Sequence, residues 1–250
     1  MQVEDSIRSE NPLVSVITPV GPAWNRDFLS EARDSLLKTQ ASFEWILCCD
    51  RSDPGEVSAV VNPTRLPNIT VIGGFQDHGI AKARNLALQQ ATGKWIYAFD
   101  SDDLTLGAID SLLEAAKDEG TVWAAGTAQD VDEMNTQVIY IPDPSLAPFD
   151  KKIPGNGFID SYDINGVYPF LCSGATLIQT NIVRECGGWN ETLREVGEDV
   201  ALLARVSRKY VGAWTGTEPI LSYRKHPASI TASGHDSELD QLAWQIARQH

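Results

Sequence analysis

Gly79–Asp103, GIAKARNLALQQATGKWIYAFDSDD, is the stretch on which the reading of this chain turns. Its first half has the composition of a helix and carries Lys82, Arg84 and Asn85. Lys94–Phe99 then reads as a buried strand, and Asp100, Asp102 and Asp103 crowd the point where that strand runs out into solvent. Carboxylates packed this closely repel one another unless a cation or strong donors compensate. Hard divalent cations such as Mg²⁺ and Mn²⁺ take oxygen ligands and bridge one or two carboxylates to substrate phosphates. The cationic helix one element upstream could meet the same phosphates. An Asp-Ser-Asp-Asp run also starts helices well, and Leu106, Ile109, Leu112, Leu113 and Ala116 follow at helical spacing. Capping needs one carboxylate, however, and three are present. The stretch points to a nucleoside diphosphate held by a metal.

Working outward, Leu13–Thr18 is a β-rich run ended by Pro19, and Asn25 or Asp27 opens a helix whose apolar face takes Phe28, Ala32, Ser35, Leu36 and Thr39. Phe43–Cys49 is a second buried strand ending at Asp50. A short helix over Glu56–Val61 and a strand over Ile69–Ile72 follow. Beyond the acidic tip the pattern predicts a helix from about Thr105 to Asp118, strands at Thr121–Gly126 and Gln137–Ile141, and no regular structure across the Pro- and Gly-rich Pro142–Pro169. Gly174–Ile178 reads as a strand, Asn181–Cys186 and Gly197–Lys209 as helices, and Tyr210–Trp214 and Ile220–Tyr223 as two closing strands. Strands alternating with helices imply a mostly parallel sheet covered on both faces. In such sheets ligands bind at the carboxyl ends of the strands. Thr18–Pro19, Asp50 and Asp100–Asp103 all fall at such ends.

The chain has 250 residues with a formal net charge of -14, enough for one α/β domain and unsuited to electrostatic binding of nucleic acid or anionic lipid. No apolar run approaches the ~20 residues of a membrane span, and MQVEDSIRSENP is not a secretory signal. Cys48, Cys49, Cys172 and Cys186 form no C-x-x-C pair and read as buried small hydrophobes in a reducing cytoplasm. In the tail, Leu239, Leu242, Ala243 and Ile246 share a helical face. That face must dock on the body of the protein or on a partner, such as a second copy in a homodimer.

These motifs in this order resemble the family 2 glycosyltransferases of the GT-A fold, over roughly residues 13–231. VSVITPV resembles the family's opening strand, with Thr18 and Pro19 at the nucleotide-sugar. Asp50 matches the acidic residue that meets the nucleotide base. GIAKARN with ATGKWIYAFDSDD matches the phosphate-side helix and the metal-binding acidic motif. Gly197-Glu198-Asp199 matches the pair that supplies the base, and Tyr223-Arg224-Lys225-His226 with Ser229 matches a C-terminal motif whose His joins the metal or the diphosphate in some relatives. The chain departs from the family where relatives often have two acidic residues in place of Cys49-Asp50, a small residue in place of Arg51, a shorter turn in place of VGPAWNR and a proline in place of Gly107.

The resemblance implies a single GT-A-type α/β domain, a mostly parallel central sheet flanked by helices, with a smaller acceptor-side lobe. An arm would span 1–12, a nucleotide-sugar half 13–126, an acceptor half 127–231 and an amphipathic tail 232–250. It implies transfer of a sugar from a nucleotide diphosphate sugar, UDP-sugar by default, to a carbohydrate, lipid-linked or small-molecule hydroxyl, with Mn²⁺ or Mg²⁺ as cofactor. Asp102 is then the metal ligand, with Asp103 the alternative, and Asp100 meets the ribose or a metal-bound water. Arg84 reaches the donor through phosphate or an adjacent carboxylate, or is a surface ion pair. Glu198 lies at the nucleotide-sugar, while Asp199 is the base of an inverting reaction. His226 is a metal or diphosphate contact or merely a satisfied polar residue. Trp189 stacks on an acceptor sugar or is core, and Pro142–Pro169 selects the acceptor and forms a lid. Two other functions stay open. A sugar nucleotidyltransferase would want a Gly-rich phosphate loop after the first strand, where this chain has Thr18-Pro19-Val20-Gly21-Pro22. A catalytically silent binder of nucleotide sugars, or of a partner protein, would keep the fold without turnover.

Overall fold

A computed structural model describes residues 12–63, 68–117, 120–137, 149–155, 173–194, 197–229 and the isolated position 245. The arm apart from its last residue, the expected strand Gln137–Ile141 beyond Gln137, most of Pro142–Pro169, Cys172 and the amphipathic tail apart from position 245 lie outside these residues. In chain order the elements are β1 (Val14–Val20), α1 (Arg26–Leu36), β2 (Phe43–Asp50), α2 (Pro54–Val61), β3 (Ile69–Gly74), α3 (Ile80–Gln90), β4 (Trp95–Ala98), β5 (Leu104–Thr105) and α4 (Ala108–Ala115). The second half contributes β6 (Trp123–Val131), β7 (Lys152–Ile153), β8 (Thr176–Gln179), α5 (Thr180–Glu185), α6 (Glu198–Lys209) and β9 (Gly212–Arg224).

One sheet runs through the whole of this, in the order β3-β2-β1-β4-β8-β6-β9-β5, with β7 on β9. From β3 to β4 every pairing is parallel. Of these strands β1, β2 and β4 are buried on both faces, which is why they read as unbroken apolar runs, whereas β3 at the edge is only partly covered. Side chains alternate across the sheet: Ile17, Ile46, Cys48, Ile96 and Ala98 pack under α3, α5 and α6. Val14, Val16, Trp45, Leu47, Trp95 and Tyr97 pack under α1, α2 and α4. Beyond β4 the sheet is mixed: β8 is antiparallel to both neighbours, β6 and β9 are parallel, and β5 and β7 run antiparallel to β9. The expected mostly parallel sheet therefore describes the N-terminal half.

Local chemistry sets the helix starts. Asn25 caps α1, its side chain accepting from the N–H groups of Asp27 and Phe28 at 2.8 and 3.2 Å. Asp53 does the same for α2, where Pro54 fits the first helical turn. The helix expected from Thr105 begins three residues later. Leu104 and Thr105 instead pair with Ser222 and Leu221, Leu106 is 47% exposed, and Gly107 takes φ +85° so that Thr105 Oγ1 can accept from Ala108 N–H. The two closing strands are one 13-residue strand, β9, whose register against β6 slips between Trp214 and Pro219. Cys48, Cys49 and Cys186 are buried free thiols, and burial pushes Cys48 up to about 12, leaving it inert. Among the described residues no helix is long and apolar enough to cross a membrane.

Candidate active site

The parallel half brings the ends of β2, β1 and β4 side by side, and the acidic tip Asp100–Asp103 projects from the last of these. Its three carboxylates have different surroundings. Asp103 is fully buried, and its Oδ1 accepts the backbone N–H of Arg224 at 2.9 Å. Burial first, then the neighbouring Asp102 and Asp100, push its carboxyl well above the usual range. Asp103 thus ties the tip to the end of β9. Asp100 accepts from Arg84 Nη2 at 2.7 Å. Asp102 stands 29% exposed, with its Oδ2 2.8 Å from His226 Nε2. Of the two candidate ligands, Asp102 is the one that looks outward, and His226 is brought to it from 124 residues away.

His226 is held from behind. Its ring lies 5.2 Å from that of Phe28, and the Arg224 guanidinium sits 4.1 Å over the other side of Phe28. Arg224 also meets Glu31 at 2.6 Å and Asn135 at 2.8 Å. Phe28, expected in the apolar face of α1, therefore packs on the site while Leu29 takes its place in the core.

Arg84 is turned inward. At 2% exposure it bridges Asp100 and Glu198, joining the acidic tip to the first residue of α6. Arg84 is therefore a buried, not a surface, ion pair, and its partners are two carboxylates of the chain itself. Glu198 is buried, and burial pushes its carboxyl up to about 7 despite the opposing Arg84. Burial likewise raises Asp100, again against the pull of Arg84. The cationic face of α3 is left to the exposed Lys82.

Asp199, next on α6, has its Oδ1 on the Val200 N–H at 2.7 Å and its Oδ2 on the Ser173 hydroxyl at 3.1 Å. Gly197 before it takes φ +82°. Trp189 is 3% exposed, which makes it core rather than an acceptor platform. Asn85 clamps it there, accepting from Trp189 N–H and donating to its carbonyl.

At the β2 end, both oxygens of Asp50 are engaged, accepting from the N–H groups of His78 at 2.6 Å and Gly79 at 3.1 Å. Gly79 needs its freedom: it takes φ +77°, and a Cβ there would come within 2.9 Å of the Arg194 carbonyl that receives the first N–H of α3. Thr18 and Pro19 are buried strand residues. The Thr18 hydroxyl accepts from the Trp45 indole at 2.9 Å, so this side chain is drawn into the core rather than presented at the edge. Ser173, Phe28, Glu31 and Asn135 were not legible as site residues, since each meets its partner only through tertiary packing.

Comparison with known proteins gives the family and the fold. The glycosyl transferase family 2 model matches residues 15–187. TuaG of Bacillus subtilis (strain 168), a glycosyltransferase assigned to teichuronic acid biosynthesis, is 35% identical over 94 residues, 37% of this chain and 36% of that protein. The S. aureus TarS fragment 1–349 in complex with UDP-GlcNAc superposes with a TM-score of 0.69 at 20% identity, covering 92% of this chain and 65% of that one. Its complex with UDP gives 0.66 at 18% identity, covering 92% and 64%. The chain spans about a third of TuaG and just under two thirds of the TarS fragment. The fold is that of the GT-A glycosyltransferases, and on the family match across residues 15–187 the chain belongs to glycosyl transferase family 2.

Proposed function

We propose that this chain transfers a sugar, with inversion, from a nucleoside diphosphate sugar to a hydroxyl acceptor. The observation that carries the proposal is the bridge Asp100–Arg84–Glu198, which ties the acidic tip with its Asp102–His226 pair to the start of α6, where Asp199 lies. A UDP-sugar is the first donor to try, since TarS, of the same fold, has been seen with UDP and with UDP-GlcNAc.

Asp102 and His226 offer one hard oxygen and one imidazole nitrogen 2.8 Å apart, and among the described residues no third His, Cys, Asp or Glu joins them. That incomplete set fits Mn²⁺ or Mg²⁺, which keep positions for phosphate and water. When bound, such an ion would neutralise charge building on the departing diphosphate. Asp199 Oδ2 takes the acceptor's hydroxyl proton as its oxygen bonds to the anomeric carbon and the bond to the diphosphate oxygen breaks. The Ser173 hydroxyl and the Val200 N–H hold that carboxylate in place. Attack opposite the leaving group, with one base and no second carboxylate nucleophile, is the pattern of inversion. The buried free thiols support a reducing, cytoplasmic setting.

The test is release of nucleoside diphosphate from UDP-, GDP- and dTDP-sugars with Mn²⁺, Mg²⁺ or EDTA. Metal-dependent release from one donor, lost in Asp102→Ala, is the expected result. If neither turnover nor a metal-dependent thermal shift occurs with any donor, the proposal fails.

A further inference from the structure

Arg224 ends β9 at a cost that packing does not explain. Its side chain is 0% exposed, yet its Nε and Nη1 find no hydrogen-bond partner among the described residues. Nη2 alone is satisfied, by Glu31 and Asn135, and both of those residues are exposed to solvent. A buried charge with donors left over is a poor source of stability, and an apolar side chain of similar size in its place is often neutral or better. What the guanidinium does hold is the ring of Phe28, whose centroid lies 4.1 Å from the guanidinium carbon.

Phe28 meets His226 as well, with ring centroids 5.2 Å apart and planes tilted by 54°. Its backbone is anchored: the Phe28 N–H is held by the Asn25 cap, and the next residue, Leu29, is fully buried in the core. His226 has less support. It lies beyond the end of β9, in a turn closed by the Ser229 N–H on its carbonyl at 3.0 Å. Among the described residues its imidazole has one hydrogen-bond contact, the one to Asp102. Uptake of an ion by both groups would replace that contact, and packing on Phe28 would remain to hold the ring.

We infer that Arg224 is a positioning residue for His226 and acts through Phe28, an inference that rests on the metal-assisted reading above. The guanidinium fixes the phenyl ring by its face, and the phenyl ring fixes the imidazole beside Asp102. Through its N–H on Asp103 the same residue also sets the acidic tip, so one strand end aligns both members of the pair. Groups that orient a metal ligand without touching the ion typically change metal affinity by about 10–100-fold.

Calorimetric binding of Mn²⁺, with and without UDP, to Arg224→Met, Phe28→Leu, Phe28→Tyr and the double variant Arg224→Met/Phe28→Leu tests this. Arg224→Met keeps the backbone N–H on Asp103 and leaves Glu31 and Asn135 to water, so its Tm should match or exceed that of the wild type. Mn²⁺ should bind about ten-fold more weakly to Arg224→Met and to Phe28→Leu, while Phe28→Tyr stays near wild type. Because Arg224 acts through Phe28, the double variant should bind no more weakly than Phe28→Leu. In the metal-free chain the imidazole NMR signals of His226, identified by their loss in His226→Gln, should shift in Arg224→Met. A lowered Tm with Mn²⁺ affinity intact would make Arg224 a structural staple and overturn the inference, as would additive losses or unshifted imidazole signals. Wild-type chain that takes up no Mn²⁺ in either condition would remove the metal reading and the inference with it. Uptake that ignores Arg224 removes only the inference.

Discussion

At the end of β2, Asp50 and Asp53 give their carboxylates to backbone N–H groups, the one to His78 and Gly79 and the other to Gly55 and Glu56. The end of β4 carries three aspartates in four residues, yet only Asp103 is engaged in that way. There Asp100 is matched by a buried arginine, and the partly exposed Asp102 by a histidine. Composition alone makes the two tips look alike. Their partners separate them: a carboxylate that completes a loop's hydrogen bonds is part of the scaffold, and one that faces solvent beside an imidazole is available for chemistry.

The largest effects should come from Asp199 and Asp102. Asp199→Asn is expected to lower kcat by roughly 10²–10⁴-fold when an acceptor is supplied, the range for loss of a general base. Asp102→Ala should abolish metal-dependent release while the far-ultraviolet spectrum stays native. If Asp50→Ala instead removes turnover at unchanged stability, the division between the two tips breaks.

Next is Asp103, the scaffold member of the acidic tip. Asp103→Ala leaves the Arg224 N–H without its acceptor in the interior, a cost of about 1–3 kcal/mol, and each kcal/mol lowers Tm by about 2–4 °C in a chain of this size. Asp103→Asn keeps an acceptor oxygen and should cost less. Thermal unfolding of both variants decides it. A stable Asp103→Ala that has lost metal dependence would make Asp103 the ligand instead of Asp102.

Much of this was legible because the central strands are buried on both faces, so β1, β2 and β4 announce themselves as continuous apolar runs. The caps at Asn25 and Asp53 were equally readable, being local. What could not be read depends on contacts across the chain. Which aspartate in Asp100–Asp103 faces outward is decided by the Arg224 N–H, 121 residues downstream of Asp103. For Arg84 the sequence leaves phosphate, an adjacent carboxylate and a surface ion pair all open, because nothing local reveals that Asp100 and Glu198 enclose it. Thr105 failed as a helix start because β9 offered Leu104 and Thr105 a strand partner.

The joint between the tip and α6 should show itself in pH. Glu198 rises from 4.5 to about 7 on folding, so between those values the folded chain binds more protons than the unfolded one. Its contribution to stability is complete below the lower value and is lost as pH climbs through the higher. Asp100 and Asp103 are raised too and add the same sign. Thermal unfolding should therefore lose stability from pH 5 to pH 8, with a shallower slope in Glu198→Gln. A slope unchanged by that substitution would show that Glu198 does not titrate in this window, and the raised carboxyls would then belong to the tip alone.

The smallest effect, and the cleanest control on the comparison, belongs to Asp53. Its carboxylate accepts from Gly55 N–H at 2.7 Å and Glu56 N–H at 3.3 Å, and those donors sit in the first turn of α2. Asp53→Ala removes the cap, worth about 1 kcal/mol, and should lower Tm by about 2–4 °C while kcat and KM stay at wild-type values. Asp53→Asn keeps the cap oxygen and should recover most of the loss. A change in KM for the donor without a change in Tm would mean that the β2 end meets the substrate through Asp53 as well. In that case aspartates at both strand ends would belong to the site, and the partners of a carboxylate would no longer tell scaffold from chemistry here.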